Sequence, residues 1–264
     1  MRRTREWEKA PTRLPRLAAG DVDVWSVQLE CSPAYVAVLL HTLSDEECDR
    51  AERFHFERDQ RRFICARGTL RRLLAEYLDA EARDLTFSYG PNGKPALSGR
   101  FARALTFNVS HSKELALVAI GRNVEMGVDV EAVRSIDDAD DIASRFFSPR
   151  ETAQLRALPF PVRTQAFFAC WTRKEAYLKA LGSGLAKPLD GFDVAFAPGE
   201  AAALFVPGDE RETARWSIRE LAPAPGYTGA LVTEGGCGAL RCWQWADVGA
   251  GSGARADMST MEAV

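Results

Sequence analysis

Apolar residues recur with two different periods along the chain. Between Arg58 and Ala80, Phe63, Ala66, Leu70, Leu73, Leu74, Tyr77 and Leu78 fall at helical spacing, with Arg61, Arg62, Arg67, Arg71 and Arg72 between them. This pattern predicts a helix whose arginines occupy a solvated face. A second helical run covers about 162–181, with Phe167, Phe168, Trp171, Leu178 and Leu181 as its stripe and Gly182 and Gly184 as its stop. Helix starts are marked by SDEE (Ser44–Glu47) and SPRE (Ser148–Glu151), each pairing a capping hydroxyl with a glutamate three residues on. Short apolar or alternating runs predict strands at Asp21–Leu29, Leu85–Gly90, Leu105–Val109, Glu114–Ile120 and Glu125–Val133. Four more follow at Phe192–Phe196, Trp216–Arg219, Tyr227–Val232 and Leu240–Trp245.

The order strand, helices, strands occurs twice. It predicts an α+β protein of two halves, residues 21–124 and 125–247, after an extension at 1–20 and before a tail at 248–264. That tail is rich in Gly, Ala and Ser without apolar periodicity, and disorder is expected there. With 46% hydrophobic and 27% charged residues in 264, the composition excludes a largely disordered chain, a collagen and a coiled coil. A net charge of −3 gives no reason to expect nucleic-acid binding. No apolar run approaches the length of a membrane helix, and the first sixteen residues lack the apolar core of a secretory signal, so a cytoplasmic address is expected. Six scattered cysteines without a CxxC pair read as reduced thiols and not as a zinc site.

Four segments carry candidate chemistry. In GVDVE (Gly127–Glu131), alternation places Val128 and Val130 on one face and Asp129 and Glu131 on the other, which is read as exposed. Their carboxylates, roughly 6–7 Å apart along the strand, can be bridged by Mg²⁺ directly or through its waters. A solvated strand edge with two acids would carry the same residues. In WTRKEAYLKALGSG, Glu175 and Lys179 lie four apart on one helix face, the spacing also of an ordinary surface ion pair. Trp171 and Tyr177 read as packing residues and Lys174 as solvated. FNVSHS (Phe107–Ser112) ends an apolar strand in hydrogen-bonding side chains. There His111, between Ser110 and Ser112, can donate to a phosphate or serve as a structural residue. In GKP, Lys94 and Pro95 stand in a tight loop able to meet an anion, or forming only a turn.

Taken together and in order, GKP (Gly93–Pro95), FNVSHS, GVDVE, RFFSPRE (Arg145–Glu151) and WTRKEAYLKALGSGL (Trp171–Leu185) resemble the 4′-phosphopantetheinyl transferases of the larger, surfactin-synthetase-activating type, over roughly residues 20–245. The resemblance implies a monomer of two similar α/β halves related by a pseudo-two-fold axis, with coenzyme A between them. It implies Mg²⁺-dependent transfer of 4′-phosphopantetheine, as in holo-acyl-carrier-protein synthesis, to a serine of an apo acyl or peptidyl carrier protein, including those of secondary metabolism. Adenosine 3′,5′-bisphosphate would leave, and Mn²⁺ would be able to replace Mg²⁺. By the same resemblance Asp129, Glu131 and Glu175 would hold the metal, Lys179 would meet the phosphates and Glu175 would serve as base. Arg62, Lys94, Pro95, Ser110 and His111 would line the nucleotide, with His111 near the 3′-phosphate. No nucleic-acid or membrane partner is implied. Two other readings compete: a coenzyme A or carrier-binding module without turnover, against which the full set of acids and Lys179 speaks, and a Mg²⁺-dependent phosphohydrolase, which would need no carrier.

Overall fold

The two capping boxes close as their sequences require, and each starts a helix. Ser44 and Ser148 each accept a hydrogen bond from the amide three residues on, while Glu47 and Glu151 return a carboxylate to the cap amide. A computed structural model describes residues 7–182 and 187–246. Its first elements are β1 (Glu8–Lys9), β2 (Val22–Gln28), α1 (Pro33–Leu40), α2 (Asp45–Glu52), α3 (Glu57–Leu78), the ribbon β3 (Phe87–Tyr89) and β4 (Pro95–Leu97), and the hairpin β5 (Thr106–Ser112) and β6 (Leu115–Gly121). Then come β7 (Met126–Ala132), α4 (Ala139–Phe146), α5 (Pro149–Ala157), α6 (Phe160–Leu181), β8 (Asp193–Val194) and β9 (Leu204–Phe205). The series ends with α7 (Glu210–Arg215), β10 (Trp216–Leu221), β11 (Tyr227–Glu234) and β12 (Leu240–Trp245). α6 ends at Gly182, which takes the left-handed conformation at φ 65°. Gly184 and the tail from 248 lie outside the described residues. Among those described, no helix is long and apolar enough to cross a membrane.

Two sheets lie face to face between two long helices. The larger runs β1-β12-β2-β6-β5 and the smaller β10-β11-β7. In β6, Ala116, Val118 and Ile120 join the core beneath α1 and α3, while Leu115, Leu117 and Ala119 meet Val128, Val130 and Leu231 between the sheets. Burial on both faces explains why β2 and β6 do not show a clean apolar–polar alternation. On the far side of the second sheet, α6 packs Phe167, Phe168, Tyr177 and Leu178 against Ala230 and Val232.

The last strand departs from the sequential order. β12 inserts parallel between β1 and β2, in the larger sheet, with Trp243 opposite Trp25. Its Arg241 side chain bonds the fully buried carboxylate of Asp23, and Trp25 packs against Trp243 and Trp245 at 6.1 and 5.7 Å between ring centres.

Three local expectations are corrected as well. Arg71 of α3 is 1% exposed: its guanidinium pairs with Glu47 and donates to the carbonyls of Ala82 and Leu85, and Arg67 shares Glu47 and stacks over Phe87. This part of the arginine face is therefore covered and not solvated. Lys174 is buried as well, paired with Glu151 at 2.7 Å and donating to the carbonyls of Leu189 and Phe192. Finally, β5 continues through Ser112, so FNVSHS is the strand itself and not its end.

Gly127 sets the distance between β7 and α6. A Cβ on it would stand 2.1 Å from the Ala176 carbonyl oxygen and 2.3 Å from the Ala180 amide nitrogen, both backbone atoms. Only a residue without a side chain lets the strand and helix backbones approach this closely. Gly127→Ala is expected to destabilise the chain by about 1–3 kcal/mol or more, as overpacking does. It should also displace Glu175 and Lys179, which α6 carries. A melting temperature equal to wild type would show that α6 moves aside freely.

Candidate active site

The face of β7 that carries Gly127 also carries Asp129 and Glu131, and α6 covers it. Asp129 is consequently 4% exposed, a correction to the exposed face expected from alternation alone. Its Oδ1 accepts from Ser110 Oγ at 2.7 Å and from Lys179 Nζ at 2.6 Å, and Lys179 Nζ also donates to Ser110 Oγ at 2.9 Å. Lys179 thus forms its ion pair with Asp129, fifty residues away, and not with Glu175 one turn earlier. Glu131 Oε2 accepts from Ser112 Oγ at 2.6 Å.

The acids outnumber their cation. Glu175 has its pKa pushed above the ordinary glutamate value by burial and by the charges of Asp129 and Glu131, against the pull of Lys179. Glu131 is likewise raised, chiefly by burial and also by Asp129, with the Ser112 hydroxyl opposing. Asp129 Oδ2 is buried and has no hydrogen-bond partner. A desolvated carboxylate oxygen without a partner, beside two carboxylates that resist ionising, suits an added hard cation. Among the described residues, no three His, Cys, Asp or Glu side chains are gathered closely enough to hold a metal ion by themselves. The cation that suits the cluster is therefore one that keeps some waters or takes further oxygens from a substrate phosphate, as Mg²⁺ does.

The remaining candidates are strung along β7. His111 projects from β5 at the surface, and partial desolvation followed by the charge of Lys179 lowers its pKa. Lys94 reaches the strand's first residue: its ammonium donates to the carbonyls of Met126 and Ala180 at 3.2 and 3.3 Å, and burial lowers its pKa. Lys94 and Pro95 line a cleft of about 900 Å³ with Tyr89, Phe107 and Gly182, beside the carboxylates and not including them. Arg62 stands toward the other end of β7. One guanidinium nitrogen is shared by Glu30 at 3.1 Å and Glu114 at 2.8 Å, and its buried Nε has no partner. Glu114 in turn accepts from Tyr227, whose register partner is the last residue of β7, Ala132. Lys94 and Arg62 thus stand toward opposite ends of β7.

Sequence reasoning passed over Asn108 and Ser112, whose side chains meet the edge of β7. The period-two spacing of Asn108, Ser110 and Ser112 was the available signal, since it puts all three on one face of a strand.

Comparison with known proteins gives a consistent result. A family model described as the 4′-phosphopantetheinyl transferase superfamily matches residues 125–232, and one described as 4′-phosphopantetheinyl transferase, N-terminal, matches residues 28–122. The 4′-phosphopantetheinyl transferase HetI of Nostoc sp. is 40% identical over 230 residues, covering 87% of this chain and 94% of that protein. The 4′-phosphopantetheinyl transferase Sfp of Bacillus subtilis is 30% identical over 152 residues, 58% of this chain and 66% of that protein. The human L-aminoadipate-semialdehyde dehydrogenase-phosphopantetheinyl transferase is 25% identical over 198 residues, 69% and 63% of the two chains.

Proposed function

Because the chain belongs to the 4′-phosphopantetheinyl transferase superfamily, we propose that it transfers 4′-phosphopantetheine from coenzyme A to a serine of an apo acyl or peptidyl carrier protein, with Mg²⁺, at the Asp129–Glu131–Glu175–Lys179 cluster. The observation that carries the assignment of the site is the buried, unpartnered Oδ2 of Asp129 among acids that one lysine does not neutralise.

In this reading Asp129, Glu131 and Glu175 would hold the cation, and Lys179 would meet the pyrophosphate. When bound, Mg²⁺ offsets the charge of the pyrophosphate and of the oxygen that departs. The Glu175 carboxylate, whose pKa lies above that of an ordinary glutamate, takes the proton of the carrier serine directly or through a water. The serine oxygen then bonds to the β-phosphorus. The bond from that phosphorus to the bridging oxygen breaks, and its electron pair leaves with adenosine 3′,5′-bisphosphate. The Lys179 ammonium stabilises the negative charge developing there. Ser110 holds Lys179 and Asp129 in register, and Lys94, Pro95, His111 and Arg62 line the nucleotide. The same reading includes two pseudo-symmetric halves, a monomeric state, a cytoplasmic address, partners other than nucleic acid or membrane, and carriers that include those of secondary metabolism.

Intact-protein mass spectrometry of a panel of apo carriers, incubated with this chain, coenzyme A and Mg²⁺, tests the proposal. Addition of one phosphopantetheine to a carrier is expected. Chelation should stop the reaction, and Mg²⁺ or Mn²⁺ should restore it. Phosphate release without a carrier would instead indicate a hydrolase.

The nucleotide contacts are tested separately. Arg62→Ala and His111→Ala should each weaken coenzyme A while barely changing 3′-dephospho-coenzyme A, which lacks their proposed partner. Equal losses for both ligands would refute a 3′-phosphate contact.

A further inference from the structure

Side chains of the first sheet finish the edge of the second. β5 and β7 are both outer strands of their sheets, and amides of β7 find side-chain oxygens on β5. Val128 N–H donates to Asn108 Oδ1 at 2.8 Å, Val130 N–H to Ser110 Oγ at 3.4 Å and Ala132 N–H to Ser112 Oγ at 3.1 Å. Satisfying these buried amides is one task of the row. The two serines keep a hydroxyl proton, and each gives it to the carboxylate one residue before the amide it accepts. Ser110 donates to Asp129 and Ser112 to Glu131. Asn108 performs the amide task without touching a carboxylate in this way.

Ser110 already belongs to the site through Lys179. Ser112 is 9% exposed and bonds Glu131 Oε2 at 2.6 Å, the short distance of a hydrogen bond to a charged acceptor. A glutamate side chain has three torsions, and anchoring one oxygen fixes the direction in which the other is presented. We propose that Ser112 is a positioning residue that orients Glu131 for the divalent cation and so sets the Mg²⁺ requirement of the transferase. The inference rests on the reading of Glu131 as a metal ligand. Partners of this kind are typically worth about 10–100-fold in metal affinity.

The test separates orientation from edge-finishing. Melting temperatures of the full chain are measured with saturating coenzyme A and no carrier, as Mg²⁺ is titrated. Ser112→Ala and Asn108→Ala should both melt earlier without Mg²⁺, since each leaves a buried amide without its acceptor. Ser112→Ala alone should move the Mg²⁺ midpoint upward, about tenfold or more, and Ser112→Thr, which restores the hydroxyl, should return it toward wild type. Ser112→Cys keeps the volume with a weaker donor and carries the same comparison if the alanine variant does not fold. A Ser112 variant whose midpoint stays with that of Asn108→Ala overturns the inference. Glu131→Gln tells that failure from a deeper one: a midpoint lost in Glu131→Gln but unmoved in Ser112→Ala removes the role of Ser112 alone. A Glu131→Gln midpoint equal to wild type removes Glu131 as a ligand.

Discussion

Glu175→Gln is expected to abolish transfer and, in the absence of divalent cation at neutral pH, to raise the melting temperature. Burial and the charges of Asp129 and Glu131 raise the pKa of Glu175 above its ordinary value of 4.5. A carboxylate raised on folding stabilises the fold fully below its unfolded pKa, and that contribution is lost as pH rises through the folded pKa. At neutral pH the cation-free wild type therefore bears a cost for holding this acid among its neighbours that the amide lacks. The melting advantage of Glu175→Gln should shrink as pH falls toward 4.5, where the wild-type acid becomes protonated. It should also shrink when Mg²⁺ is added at neutral pH, because the cation stabilises the wild-type cluster. Asp129→Asn should abolish transfer as well but melt earlier, since Asp129 is the acid bonded to Lys179 and Ser110. Normal turnover by Glu175→Gln would remove that residue both as ligand and as base.

Lys179→Ala is expected to lower the catalytic rate by roughly a hundredfold or more, the effect of losing one preorganised electrostatic donor. Apparent binding of coenzyme A should fall less, because the interaction strengthens as charge develops on the departing nucleotide. Stability should fall too, and this distinguishes the site from a surface pair on a helix, worth a few tenths of a kcal/mol. Lys179 neutralises Asp129, whose side chain is 5% exposed. Its removal leaves a buried charge, though the loss should fall short of the about 3–5 kcal/mol of a wholly buried pair, because Lys179 itself is 30% exposed. Rate and melting temperature measured on one preparation separate the roles. An earlier melt with wild-type turnover would leave Lys179 as a structural counter-ion to Asp129.

Local chemistry made much of this protein legible in its sequence. Capping boxes at Ser44 and Ser148 act within three residues, so their helices start where the residues say. The alternation of GVDVE put Asp129 and Glu131 on one face, and helical spacing put Glu175 and Lys179 on another, because both periods are properties of the backbone. What those faces meet is not a local property. The covering of β7 by α6 buried Asp129 and gave Lys179 a partner fifty residues away in place of the neighbour its spacing offered. A buried arginine looks in sequence like a solvated one, and Arg71 was decided only when Glu47, Ala82 and Leu85 converged on it. β12 entered the first sheet because its aromatic side chains and Arg241 find Trp25 and Asp23 there, more than two hundred residues away along the chain. Propensity and periodicity fix how a segment folds; burial, the pairing of charges and the finishing of sheet edges depend on which segments are brought together, and in this chain those contacts joined Asp129 of one motif to Lys179 of another.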